Sequence, residues 1–164
     1  SKEKARKRFI RQRSLGFATP ESSHMVLTVY GAENLLAEKT IPSPQVHLKT
    51  AKNGTRYKTH VAQSNANPKW NESFEVGKKG KKGLLGVRQI FVKLKDKASG
   101  NIIGSVEIPF NISSFSKSTE VRIKYPLVCH KEQTPSEGGL YGSVDIGIKV
   151  IDTSVKAMPV VEKE

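Results

Sequence analysis

From Met25 onward the chain alternates apolar and polar residues with period two. The run Val26-Leu27-Thr28-Val29-Tyr30 is rich in β-branched and aromatic side chains, as expected of a half-buried strand. Further strands are predicted over 45–49, 55–61, 72–76, 89–95, 103–108, 121–127 and 142–151. Turn chemistry separates them: Pro42-Ser43-Pro44, Lys52-Asn53-Gly54, the bend over 65–68, the glycines between 80 and 83, Ser99-Gly100-Asn101 and the stretch 136–139. Asn53-Gly54 between two strand-like runs is the strongest hairpin signal. Eight short strands at this spacing predict an all-β protein, an eight-stranded antiparallel β-sandwich. No internal repeat and no long amphipathic helix competes with it.

The ends read differently. Residues 1–23 are dense in Lys and Arg and then turn to Thr19-Pro20-Glu21-Ser22-Ser23, a composition that resists packing, so a basic, disordered extension is expected there. The folded domain is expected over 24–152 and a frayed tail over 153–164. Of the 164 residues 36% are hydrophobic, enough for one core, yet no run approaches the ~18 apolar residues of a membrane span. No apolar segment follows the basic start, so no signal peptide is expected. The single Cys129 offers no intrachain disulfide and favours a reducing setting.

Charge narrows the partner. The net charge is +13, and it is unevenly placed. Residues 1–14 hold seven basic groups and one acidic, and residues 47–97 hold thirteen basic and three acidic. The rest of the chain is close to neutral. Such an excess points to phospholipid headgroups, an acidic protein surface or nucleic acid, with plain solubility as the competing explanation.

Several segments then become recognisable. The stretch from Val26 to Leu35, the run Asn67-Pro68-Lys69-Trp70-Asn71-Glu72-Ser73-Phe74, the pair Ile103-Gly104 and the start of the last strand at Gly142-Ser143-Val144 resemble C2 domains. Asn-Pro makes a bend, Trp70 fills the sandwich and Phe74 continues the inward face. The resemblance implies the C2-like Greek key, with loops at one end, used for membrane docking.

The departures from that pattern are chemical. Calcium-binding members of the family supply several aspartates from their first and third loops, because a hard cation needs many oxygen donors. Here Ser43 stands where the first-loop aspartate is expected, and the third loop keeps only Asp96, between Lys95 and Lys97. No metal site and no cofactor is expected.

What remains is the basic block. Arg56, Lys58 and His60 are expected on one face of their strand, with Tyr57, Thr59 and Val61 on the other, and Lys49 ends the strand before. This resembles the lysine-rich concave surface by which some C2 domains bind phosphatidylinositol phosphates. Asn67 matches an assisting asparagine of the protein kinase C branch, whereas Gln45 replaces its tyrosine. The predicted lipid-binding set is Lys49, Arg56, Lys58, His60, Asn67, Lys69, Lys78, Lys79, Lys81, Lys82, Lys93 and Lys95. Glycines beside Lys78, Lys79, Lys81 and Lys82 suit a flexible loop able to meet one anionic surface. A solvated strand face is the alternative for the first cluster, and a nuclear-localisation signal for the second. Arg11-Gln12-Arg13-Ser14-Leu15 resembles a site of basic-directed kinases, where phosphorylated Ser14 would subtract ~1.5–2 charges.

No catalytic constellation emerges. His24, His47, His60 and His130 are scattered, Cys129 and His130 are neighbours that a strand would point apart, and no phosphate-cradling loop is present. A non-enzymatic module is therefore expected, cytoplasmic and peripheral to the membrane. Its first expected partner is anionic membrane. The second is an acidic or phosphorylated protein in signalling or trafficking. Nucleic acid ranks last, because only Tyr57 could stack on a base beside the lysines.

Overall fold

The period-two pattern becomes two four-stranded antiparallel sheets in a computed structural model, which describes residues 19–36, 40–51, 54–80, 82–116, 118–128 and 142–153. The strands are β1 (Ser23–Glu33), β2 (Pro44–Lys49), β3 (Tyr57–Lys58), β4 (Lys69–Val76), β5 (Gln89–Asp96), β6 (Ile102–Pro109), β7 (Val121–Pro126) and β8 (Ser143–Asp152). One sheet runs β4-β1-β8-β7 and the other β3-β2-β5-β6. The last strand therefore lies between the first and the seventh, a connectivity that the alternation alone leaves open.

Burial follows the pleat. In β2, Val46 and Leu48 are buried and Gln45, His47 and Lys49 face out; in β5, Ile90, Val92 and Leu94 are buried and Phe91, Lys93 and Lys95 face out. Met25, Leu27 and Val29 of β1 and Val144, Ile146 and Ile148 of β8 close the core from the other sheet, with Trp70 5% exposed. Each such side chain contributes about 1.5–3 kcal/mol by leaving water.

Three predicted elements differ from what forms: the first strand, expected over Val26–Tyr30, runs Ser23–Glu33. The third strand shortens from seven residues to Tyr57–Lys58. Val46 N–H donates to the Thr59 hydroxyl rather than to a backbone carbonyl, and the Thr59 carbonyl accepts from Gln45 Nε2, so the reciprocal pairing stops although Thr59 N–H and Ala62 N–H still donate to the Val46 and Pro44 carbonyls. The fourth strand starts earlier, at Lys69, directly after the Asn67-Pro68 bend. Residues 19–23 join the fold: Thr19 N–H and Ser22 Oγ–H both donate to the Asp152 carboxylate. Ser14, Lys81, Asn53, Cys129 and His130 lie outside the described residues.

Candidate functional site

The outer face of the β3-β2-β5-β6 sheet gathers cations because register places their strands side by side. Lys58 is opposite His47, His47 is opposite Lys93, and Lys93 is opposite Ser105, so one row crosses all four strands. The neighbouring rows pair Gln45 with Lys95, and Lys49 with Phe91 and Glu107. Lys49, Arg56, Lys93 and Lys95 border a groove of about 200 Å³ whose floor includes His47 and Phe91. The Lys49 ammonium sits 5.7 Å from the centre of the Phe91 ring, which lets its stem cover apolar surface while its charge stays in water.

Ion pairing sorts the two sheets. The ion pairs among the described residues are His60–Glu72, Lys78–Glu75, Arg122–Asp145 and Lys124–Glu33, and every carboxylate among them belongs to the β4-β1-β8-β7 sheet. None involves Lys49, Arg56, Lys58, Lys93 or Lys95. His47 registers the resulting potential: burial, then the charges of Lys95, Lys58, Lys97 and Lys93, lower its pKa to about 4. It is therefore neutral at pH 7. Among the described residues its buried Nε2 has no hydrogen-bond partner, and neither does the buried Oε1 of Gln45 two residues away.

The predicted residues divide accordingly. Lys49, Arg56, Lys58, Lys93 and Lys95 share this face. His60 does not: its ring lies 2.6 Å from Glu72 of β4, in the other sheet. Asn67 is a loop latch, its Oδ1 accepting Asn34 N–H at 2.8 Å. Lys69 lies on β4 and borders a second groove, about 550 Å³, on the opposite outer face. There Arg122 forks onto Asp145 and stacks 3.7 Å above the Tyr30 ring. Lys78, Lys79 and Lys82 occupy the β4–β5 loop, and Lys78 reaches back to Glu75 at 3.0 Å. That loop is pinched at its neck, where a Cβ on Gly77, at φ +84°, would lie 2.7 Å from the Gly83 carbonyl oxygen. Leu84 beyond it is buried and Leu85 is exposed. Among the groove residues outside the predicted set are His47 and Phe91. The alternation that assigned Arg56 and Lys58 to one face would have found them in β2 and β5.

The loops at the β1–β2 and β5–β6 ends meet around Asp96. Its carboxylate, 2% exposed, accepts Ser43 N–H at 2.9 Å, Ala98 N–H at 3.1 Å and Ser99 Oγ–H at 2.7 Å. Burial raises its pKa, but these bonds outweigh that and leave it below the usual carboxylate value. Calcium needs six to eight oxygens, and no group of three His, Cys, Asp or Glu side chains suited to a metal exists among the described residues. Among the described residues of these loops Asp96 is the one carboxylate, and its oxygens already accept these bonds.

The family model of the C2 domain matches residues 23–127, more than half of the chain. The chain belongs to the C2 domain family. Solved C2 structures carry the same sandwich. The C2-A domain of plant Extended Synaptotagmin 1 is 16% identical at a TM-score of 0.61, over 82% of this chain and 98% of that one. A structure of the SMP, C2-A and C2-B domains of Extended Synaptotagmin 2 is 15% identical, TM-score 0.57, over 88% of this chain but 30% of that one. Human GIVD cytosolic phospholipase A2 is 17% identical, TM-score 0.57, over 80% of this chain and 17% of the enzyme. This C2 domain thus spans under a third of the latter two chains, and its likeness to them is one of fold. No curated protein sequence matches it. A C2 domain is a binding module rather than a catalyst, and no helix among the described residues is long and apolar enough to cross a membrane.

Proposed function

We propose that this C2 domain docks the protein that carries it on anionic phospholipid membrane, rich in phosphoinositide or phosphatidylserine, without calcium. The attraction comes from the basic face of the β3-β2-β5-β6 sheet. One observation carries the reading: Lys49, Arg56, Lys58, Lys93 and Lys95 sit together on that face outside any ion pair among the described residues. Each lysine or arginine near an anionic leaflet contributes about 1 kcal/mol, so five amount to several kcal/mol before side-chain ordering. Lys78, Lys79 and Lys82 add a second contact from the β4–β5 loop. Membership of a family used for membrane docking supports the same conclusion, and the saturated Asp96 supports independence from calcium.

Co-sedimentation with vesicles of varied phosphoinositide and phosphatidylserine content, with and without chelator and at two salt concentrations, tests it. Binding should need anionic lipid, survive chelation and fall with salt, because the Debye length shortens to ~8 Å at physiological ionic strength. Loss of binding on chelation would overturn the calcium-independent mechanism. Absence of binding at low salt would redirect the basic face toward an acidic or phosphorylated protein.

A further inference from the structure

The groove contains one group that its lysines do not explain. His47 sits in the middle of the Lys58–His47–Lys93–Ser105 row, flanked on its own strand by Gln45 and Lys49. Facing it are Arg56 and Lys58 from the β3 side, Lys93 and Lys95 from β5, Lys97 just beyond β5, and Ser105 and Glu107 from β6. Glu107 is the one carboxylate bordering the groove. A buried imidazole nitrogen left without a partner costs free energy, on the order of 1–3 kcal/mol, unless something supplies one. An anion among these side chains would balance the surrounding ammonium groups and, once the ring is protonated, accept a hydrogen bond from Nε2.

We infer that His47 is a proton-coupled donor to a lipid phosphate: when the phosphodiester of an anionic headgroup enters between Lys58, Lys93 and Lys95, His47 takes up a proton and donates from Nε2. This rests on the membrane-docking reading and adds a regulation to it. Burial and then the lysines hold the ring neutral well below physiological pH, the value being about 4. An anion among the lysines reverses the local potential and raises that value. The bound state then holds more protons than the free state between the two values, so affinity rises as pH falls through that window. If the bound value returns near the ordinary ~6.5, acidification from about pH 7.5 to about pH 5 strengthens binding by at least about tenfold.

The test uses vesicles of phosphatidylglycerol in phosphatidylcholine, because a phosphodiester keeps one charge across this pH range whereas a phosphomonoester does not. Wild type, His47→Gln and His47→Lys are sedimented at both pH values and constant ionic strength. Wild type should gain about tenfold on acidification. His47→Gln should bind weakly at both values, and His47→Lys, permanently charged, tightly at both. A His47→Gln protein with the wild-type pH ratio overturns the inference while leaving membrane docking intact. Failure of wild type to sediment at either pH sinks the inference, while the phosphoinositide and phosphatidylserine vesicles decide the docking reading separately. Should the variants not fold, the His47 ring signal of wild type is titrated by NMR with and without soluble short-chain phosphatidylglycerol. A rise in its midpoint on binding supports the coupling, and an unmoved midpoint refutes it.

Discussion

The indole Nε1–H of Trp70 donates to the carbonyl of His60 at 2.9 Å. Trp70 is on β4 of one sheet, and His60 follows β3 of the other, so one side chain both fills the core and ties the two sheets at their edge. The His60 ring and N–H meet Glu72 beside it, at 2.6 Å and 3.0 Å, reinforcing the same seam. Trp70→Phe keeps most of the apolar volume and leaves the His60 carbonyl without its donor. It should cost about 1–3 kcal/mol, read as a lower midpoint in urea with an unchanged slope. A midpoint equal to wild type would mean that water replaces the indole without penalty.

Gly31 follows the irregularity of β1 between Val29 and Gly31, and a Cβ there would lie 2.5 Å from the Pro68 carbonyl oxygen. That oxygen already accepts Ala32 N–H at 3.0 Å, so it is not free to retreat. Gly31→Ala should destabilise by about 1–3 kcal/mol through overpacking against rigid backbone, visible as a lower melting temperature. Gly100→Ala is the contrast: nothing lies within 4 Å of its Cβ, and the cost there comes only from its φ of +78°.

Asp96 holds two loops through its bonds to Ser43, Ala98 and Ser99. Asp96→Asn turns one acceptor oxygen into a donor facing N–H and O–H groups, and should cost about 1–3 kcal/mol. The sign of the pH dependence follows from its lowered pKa. Between the folded and the unfolded values the unfolded chain binds more protons, so this stabilisation is complete above about pH 4 and is lost as pH falls further. Thermal melts from pH 7 to pH 3 should therefore fall more steeply for wild type than for Asp96→Asn. Parallel curves would remove Asp96 from the account of acid stability.

The basic face predicts a positional effect rather than a net-charge effect. Lys93→Glu and Lys95→Glu should each weaken binding to anionic vesicles by about tenfold, since each removes one favourable charge and adds a repulsive one. Lys149→Glu changes the net charge equally, but on β8, in the other sheet. At physiological salt it should change binding by less than about twofold, because its charge lies beyond the screening length from a membrane on the opposite face. Equal losses for all three variants would point to bulk charge in place of a face.

By itself the sequence determined the strands, their inward residues and the family: apolar alternation, turn residues and the Asn67–Phe74 segment are local signals, and they translate into a sandwich because each strand must bury one side. It also located the basic excess, and period two correctly joined Arg56 to Lys58. The pleat says only which side of its own strand a residue takes. Which strands stand next to each other, and in what register, was decided by long-range packing, and that brought Lys58, His47 and Lys93 into one row. The same packing set the His60 ring against Glu72 of β4 and put Lys69 in the other sheet, although the chain after Thr59 still bonds β2 through Ala62 N–H and the Pro44 carbonyl. Whether a lysine is free or paired is likewise a tertiary property: carboxylates distant in sequence, Glu33 for Lys124 and Asp145 for Arg122, neutralise one face and leave the other charged.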